Sequence, residues 1–243
     1  MRKKGAKGIV TIAFDDAYLA TYNNAIRYLT KLKIPSTIAV SCKLVGKTCE
    51  KRPVASSRSL KAALNAGHEI ASHGLTHTNL RKLTAKNKKE ALREIYESKR
   101  VLSRVLGAPV ASFVFPYIEK NRGRMLSAEA RKHYKYIRIT SRKPYFESAD
   151  FMDPRELIGF AVTKRHSVGF LNKLVDYAAK EGFWIIEVFH LVGKKNTLSA
   201  HRRKPYRYFT HIKDFKKHIA YIRSKNISIL TMRDAAKKLK QKQ

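Results

Sequence analysis

Short apolar, β-prone runs alternate with amphipathic stretches along most of this chain, and that alternation restricts its fold more than any other feature. The runs fall at 8–14 (GIVTIAF), 36–41 (STIAVS), 68–72 (HEIAS), 111–115 (ASFVF), 136–140 (YIRIT), 157–162 (LIGFAV), 183–189 (FWIIEVF) and 227–230 (ISIL). Helical periodicity separates most of them, at 20–32, 59–66, 85–106, 167–181 and 211–224. The longest helix is expected from Ala85 to Leu106, with Thr84 as N-cap, an apolar face of Leu92, Ile95, Leu102 and Val105, and Gly107 with Pro109 as its stop. Thr231 and Asp234 form a capping-box-like start to a last helix. Strands that alternate with helices build a largely parallel sheet, and seven or eight such units in 243 residues favour a closed or distorted barrel over an open sheet. The expectation is one domain over 1–243, with a core from about 8 to 235 and short basic tails.

In a β/α barrel the reactive groups sit where strands give way to loops. The residues that follow the apolar runs are Asp15 and Asp16, His73 and His77, Pro116 and Tyr117, and His190, from four separate segments. Two adjacent carboxylates at a strand end repel, so a cation or a shared proton is expected beside Asp15 and Asp16. His73 and His77, four apart in SHGLTH, can turn both imidazoles to one side. Taken alone, two polar loop histidines are the commoner reading of such a pair. A carboxylate from another strand end changes the balance, because two imidazoles and one carboxylate form a common ligand set for a catalytic divalent ion with an open position.

TIAFDDAY (11–18) resembles the first motif of polysaccharide deacetylases of the NodB-homology type, carbohydrate esterase family 4. SHGLTH (72–77) resembles their His-x-x-x-His motif, FVFPY (113–117) the third and IEVFH (186–190) the fifth. The resemblance implies a distorted (β/α)7 barrel, a divalent metal that is usually Zn2+, and hydrolysis of N-acetyl groups on the amino sugars of a glycan or glycolipid. Carried over by position, it makes Asp16, His73 and His77 metal ligands, Asp15 the general base, His190 the general acid, and the backbone N–H of Tyr117 an oxyanion donor.

The third motif departs from the family pattern, Phe-Arg-x-Pro-Tyr-Gly. Val114 stands in place of the arginine and Ile118 in place of the glycine; FVFPYI is closest to the FAYPYG-like segment of the poly-N-acetylglucosamine deacetylase-like branch, from which Ile118 still departs, since glycine adopts positive φ cheaply and isoleucine does not. Without that arginine the expected partner of Asp15 is missing, unless the metal or another cation compensates. The fourth motif is not recognisable. Trp184, the only tryptophan, reads as core. Asp153 and Arg155 could orient His190 or Asp15, although a surface turn around Pro154 is the better reading. The basic, aromatic stretch 192–209 offers Tyr206 and Tyr208 to a glycan or anionic ligand, with a solvated loop as an equal reading.

Charge adds a second theme. Lys and Arg number 52 against 18 Asp and Glu, a formal charge of +34, which predicts salt-sensitive attraction to polyanions. Two other functions are therefore weighed: a cyclic amidase or imidase on the same fold, and a basic polyanion-binding protein with a degenerate site. No apolar h-region follows the basic N-terminus and no run reaches transmembrane length, so the expected location is cytoplasmic, with delivery outside by lysis also compatible. Cys42 and Cys49 are expected to be free thiols.

Overall fold

The computed structural model describes residues 8–117, 123–194 and 206–241. Twelve strands lie in chain order among them: β1 (Ile9–Phe14), β2 (Thr37–Val40), β3 (Thr48–Cys49), β4 (Arg52–Pro53), β5 (Glu69–Ser72), β6 (Ser112–Val114), β7 (Tyr136–Ser141), β8 (Leu157–Ala161), β9 (Trp184–Phe189), β10 (Leu191–Gly193), β11 (Phe209–His211) and β12 (Ser228–Ile229). Seven of them, in the order β1-β2-β5-β6-β7-β8-β9, pair in parallel, and β9 pairs back onto β1 to close the barrel. The expected distorted (β/α)7 barrel is what the chain forms.

The distortion has a specific cause. β9 runs beside β1 from Ile9 to Phe14, but β2 meets β1 only at Ala13 and Phe14. The first half of that edge is taken by β12, which pairs with Ile9 and Val10. An unpaired edge in a buried sheet would orphan backbone donors and acceptors, and β12 satisfies them through Ser228 N–H to Gly8 O at 3.0 Å and Leu230 N–H to Val10 O at 3.1 Å.

Strand faces alternate between two layers. Val10, Ile12 and Phe14 join a large cluster with residues of the surrounding helices, whereas Ile9 and Ala13 pack with Trp184, Ile186, Val188 and Tyr136 on the inner side. Covering both faces explains why these strands read as nearly unbroken apolar runs. Trp184 is fully buried and donates from Nε1 to Thr11 Oγ1 at 2.9 Å, as expected of a core residue.

The helices are α1 (Leu19–Thr21), α2 (Arg27–Lys31), α3 (Ser57–Asn65), α4 (Leu80–Lys86), α5 (Lys88–Leu106), α6 (Gly123–His133), α7 (Val168–Glu181), α8 (Ile212–Arg223) and α9 (Met232–Lys240). The expected helix over 85–106 is cut at Asn87, whose side chain accepts from Glu90 N–H and caps α5. Thr84 is therefore not an N-cap; it lies inside α4, where its hydroxyl donates to Leu80 O. An Asn cap outcompetes Thr where the backbone turns extended, and Asn87 sits at φ −151°. Gly107, at φ +70°, ends α5 as expected. The stretch 20–32 is α1 and α2 joined by a π-helical turn at Tyr22–Ile26. Thr231 caps α9 by accepting from Asp234 N–H, and α9 lies under the barrel end opposite the loops that carry Asp15 and His73. No helix among the described residues is long and apolar enough to cross a membrane.

Candidate active site

Asp15 and Asp16 follow β1 directly, and β1 delivers Asp15 on the same side as Ile9, Thr11 and Ala13, into the barrel mouth. His73 follows β5, and the turn beyond it brings back His77. One ligand atom from each of Asp16, His73 and His77 lies within 4.8 Å of the others. His77 Nε2 is 2.9 Å and His73 Nε2 3.7 Å from Asp16 Oδ1.

The buried Asp16 carboxylate draws positive charge to itself. His73 Nδ1 lies 2.8 Å from the Val114 carbonyl, so the ring donates there and presents the Nε2 lone pair to the cluster. Burial pushes the His73 imidazolium down to about 4. Asp16 is buried, which by itself would favour its neutral form; the neighbouring His77, His190 and His73 outweigh that and hold it well below the usual carboxylate range. Burial likewise acts to lower His77, but the Asp16 carboxylate and Cys49 overcome it and push the ring up to about 11. Asp16 Oδ1 is buried and lacks an aligned hydrogen-bond donor. An orphaned carboxylate oxygen facing two imidazole nitrogens is what a divalent ion with N and O ligands satisfies, so these residues fit one.

The loop from His73 to His77 is held from outside. Glu94, buried on α5, accepts from Leu75 N–H at 2.8 Å and Thr76 N–H at 3.0 Å through Oε2, and from the Thr76 hydroxyl at 2.5 Å through Oε1. A Cβ at Gly74, where φ is +78°, would stand 3.1 Å from that carboxylate. The backbone at the site is strained as well as held: Asp16, Ala17, His77 and Tyr117 all have positive φ, each a cost of roughly 1–3 kcal/mol.

The partner of Asp15 is present after all, on a different strand. Arg138 of β7 donates from Nη2 to Asp15 Oδ1, and from Nη1 to the Thr140 hydroxyl at 2.8 Å. Both ends of the pair are buried. Gly159 on β8 makes room, since a Cβ there would meet Arg138 Nη1 at 2.7 Å and Val188 Cγ2 at 2.6 Å. Val114 in the third motif is thus compensated from β7. The sequence carried the signal: Arg138 is a charge in the middle of YIRIT, at the inward position shared with Tyr136 and Thr140.

The remaining residues assemble around a pocket of about 290 Å³ lined by Asp15, Asp16, His73, His77, Tyr117 and His190. Tyr117 is 44 % exposed, and its ring lies over His77 with centroids 4.9 Å apart. His190 stacks on Tyr208 at 4.7 Å and keeps Nδ1 buried without a hydrogen-bond partner among the described residues. Tyr206 and Tyr208 both line the pocket, as does Glu50 of the β3–β4 turn, with Asn79, Thr140 and Arg142; the last four belong to no sequence motif. Ile118 and residues 195–205 of the basic stretch lie outside the described residues. Asp153 and Arg155 are at the other end of the barrel, near Arg131 and the start of β7, and form the surface turn. Cys42 and Cys49 are free and buried.

The family model for polysaccharide deacetylase matches residues 2–137. Among solved structures, a Mycobacterium smegmatis protein named for the same family is similar over 100% of this chain and 93% of its own, at 16% identity and TM-score 0.65. The Xyl-CE4 domain of a multidomain xylanase from the hindgut metagenome of Trinervitermes trinervoides is similar over 96% of this chain and 91% of its own (14% identity, TM-score 0.59). The Streptococcus pyogenes deacetylase PplD, in complex with acetate, covers 68% and 69% (18% identity, TM-score 0.54). No curated protein sequence matches the chain.

Proposed function

The chain belongs to the polysaccharide deacetylase family, and on that premise we propose that it is a metal-dependent hydrolase that removes N-acetyl groups from an amino-sugar glycan, with Zn2+ as the metal. The observation that carries the reading is the convergence of Asp16, His73 and His77 donor atoms next to a second carboxylate, Asp15, that is already paired with Arg138.

An acetamide has a weak electrophile and a poor leaving group, so its hydrolysis needs an activated water, a stabilised oxyanion and a proton for the departing amine. Asp16, His73 and His77 would hold a divalent ion, which would supply polarisation of the carbonyl and acidification of a water molecule. In the proposed reaction Asp15 accepts a proton from the attacking water as the water oxygen bonds to the carbonyl carbon. Arg138 fixes the Asp15 carboxylate in place and balances its charge in the buried mouth. The Tyr117 N–H donates to the carbonyl oxygen as negative charge develops there. His190 delivers a proton to the sugar nitrogen as the C–N bond breaks, leaving acetate and a free amine. Tyr208, stacked on the His190 ring, limits its rotation.

The test joins metal analysis of the purified protein to an acetate-release screen on N-acetylglucosamine oligomers, with wild type and Asp15→Asn side by side. Stoichiometric zinc with acetate released only by the wild type supports the reading. A protein that takes up no divalent metal, or releases no acetate from any acetylated sugar, overturns it.

A further inference from the structure

The reading above leaves the glycan unspecified, and the charges in and around the pocket restrict it. Three carboxylates line the pocket: Asp15, Asp16 and Glu50. Asp15 is paired with Arg138, and Glu50 lies 3.8 Å from Arg52 Nη1. Asp16 is the carboxylate turned towards the two imidazoles. Arg142 lines the same pocket, is exposed at the end of β7, and takes part in none of the ion pairs among the described residues. Among the described residues Arg142 is the one lysine or arginine that lines the pocket, and no carboxylate there pairs with it.

The exterior reinforces this. Of the 18 acidic residues, Asp15, Asp16, Glu69, Glu94, Glu147 and Glu187 are buried, whereas of the 52 Lys and Arg only Arg52 and Arg138 are buried among the described residues. The surface that a polymer meets is therefore more basic than the formal +34 suggests. Such a surface raises the local concentration of anionic ligands and speeds their association in a salt-dependent way. For a neutral polymer it does nothing.

Resting on the deacetylase reading, we propose that the substrate is an acetylated glycan bearing anionic groups, carboxylate or phosphate, one of which engages Arg142 beside the reacting N-acetyl sugar. An arginine fork suits either anion through paired N–H donors.

The experiment measures acetate release from three oligomers of matched length: a neutral N-acetylglucosamine oligomer, a hyaluronan oligomer in which N-acetylglucosamine alternates with a uronate, and an oligomer of N-acetylglucosamine linked through phosphodiesters. Each is assayed at roughly 0.02 M and roughly 0.3 M salt, where screening differs several-fold in length. The expected result is a kcat/KM at least about tenfold higher on one charged oligomer at low salt, expressed mainly in KM and narrowing at high salt. Which charged oligomer is preferred separates carboxylate from phosphate. Arg142→Gln should remove most of that preference, and Arg142→Lys should keep part of it. Equal kcat/KM on neutral and charged oligomers at low salt, or a preference that Arg142→Gln leaves intact, overturns the proposal. Acetate release from none of the three overturns the deacetylase reading instead.

Discussion

Arg138 and Asp15, 123 residues apart in sequence, form a buried ion pair across the mouth of the barrel. The arrangement places on β7 the cation that the third motif, with Val114, lacks. Breaking a buried pair by removing one partner leaves an uncompensated charge, at a cost of about 3–5 kcal/mol. Arg138→Met is therefore expected to lower stability by that amount in chemical denaturation and to abolish turnover. Adding Asp15→Asn should restore much of the stability and none of the activity. If the double variant is no more stable than Arg138→Met alone, the loss lies in packing and the pair is not its source.

Gly159 gives the same pair a steric test. A methyl group there meets Arg138 Nη1 and Val188 Cγ2 inside 3 Å. Gly159→Ala should cost about 1–3 kcal/mol by overpacking and lower kcat through displacement of Arg138. Unchanged kcat with lowered stability would mean that Arg138 absorbs the strain without leaving Asp15.

Metal retention separates the roles of the two neighbouring carboxylates. Asp15→Asn should keep its metal and lose about 10²- to 10⁴-fold in kcat, while His73→Ala should lose the metal. Elemental analysis after dialysis, run beside the acetate assay, checks both. Metal loss in Asp15→Asn would make that carboxylate a ligand.

Glu94 shapes the turn between His73 and His77 without touching either ring in any hydrogen bond. Groups that orient a ligand from behind typically govern metal affinity by 10- to 100-fold. A loss of that order is expected for Glu94→Ala in direct metal titration, with Glu94→Gln recovering part of it because one carbonyl oxygen still accepts. Equal affinity in wild type and Glu94→Ala would show that the backbone alone sets the turn.

Stability should respond to pH through Glu147, far from the site. Burial, opposed by the Ile158 N–H that it accepts at 2.9 Å and assisted by Asp153, raises its carboxyl from 4.5 to about 7. Between those values the folded protein holds a proton that the unfolded chain has released, so this contribution is complete below the lower value and is lost as pH rises to the upper one. Buried His68 slopes the other way, because burial lowers it from 6.5 to about 4. The difference between wild type and Glu147→Gln isolates the carboxyl: moving from pH 5 to pH 8 should favour the variant by about 2–3 kcal/mol, at ~1.4 kcal/mol per pKa unit. A difference that stays constant with pH would place an ionised Glu147 in the folded protein at pH 5.

The sequence by itself determined the alternation of strands and helices, the closed parallel barrel, and the four strand ends that carry Asp15, Asp16, His73, His77, Tyr117 and His190. It could do so because strand burial on two faces writes unbroken apolar runs, and because the candidate site residues follow those runs closely. The break at Asn87 was less legible, since an Asn cap and a continued helix differ by about 1 kcal/mol of local preference. Only the tertiary structure decided that Arg138 serves Asp15, that Gly159 leaves it space, that Glu94 moulds the His73–His77 turn, and that Arg142 and Glu50 share the pocket. These relationships join positions far apart in the chain. Closing the barrel fixes which inward-facing residues of different strands meet, and no local pattern records that encounter.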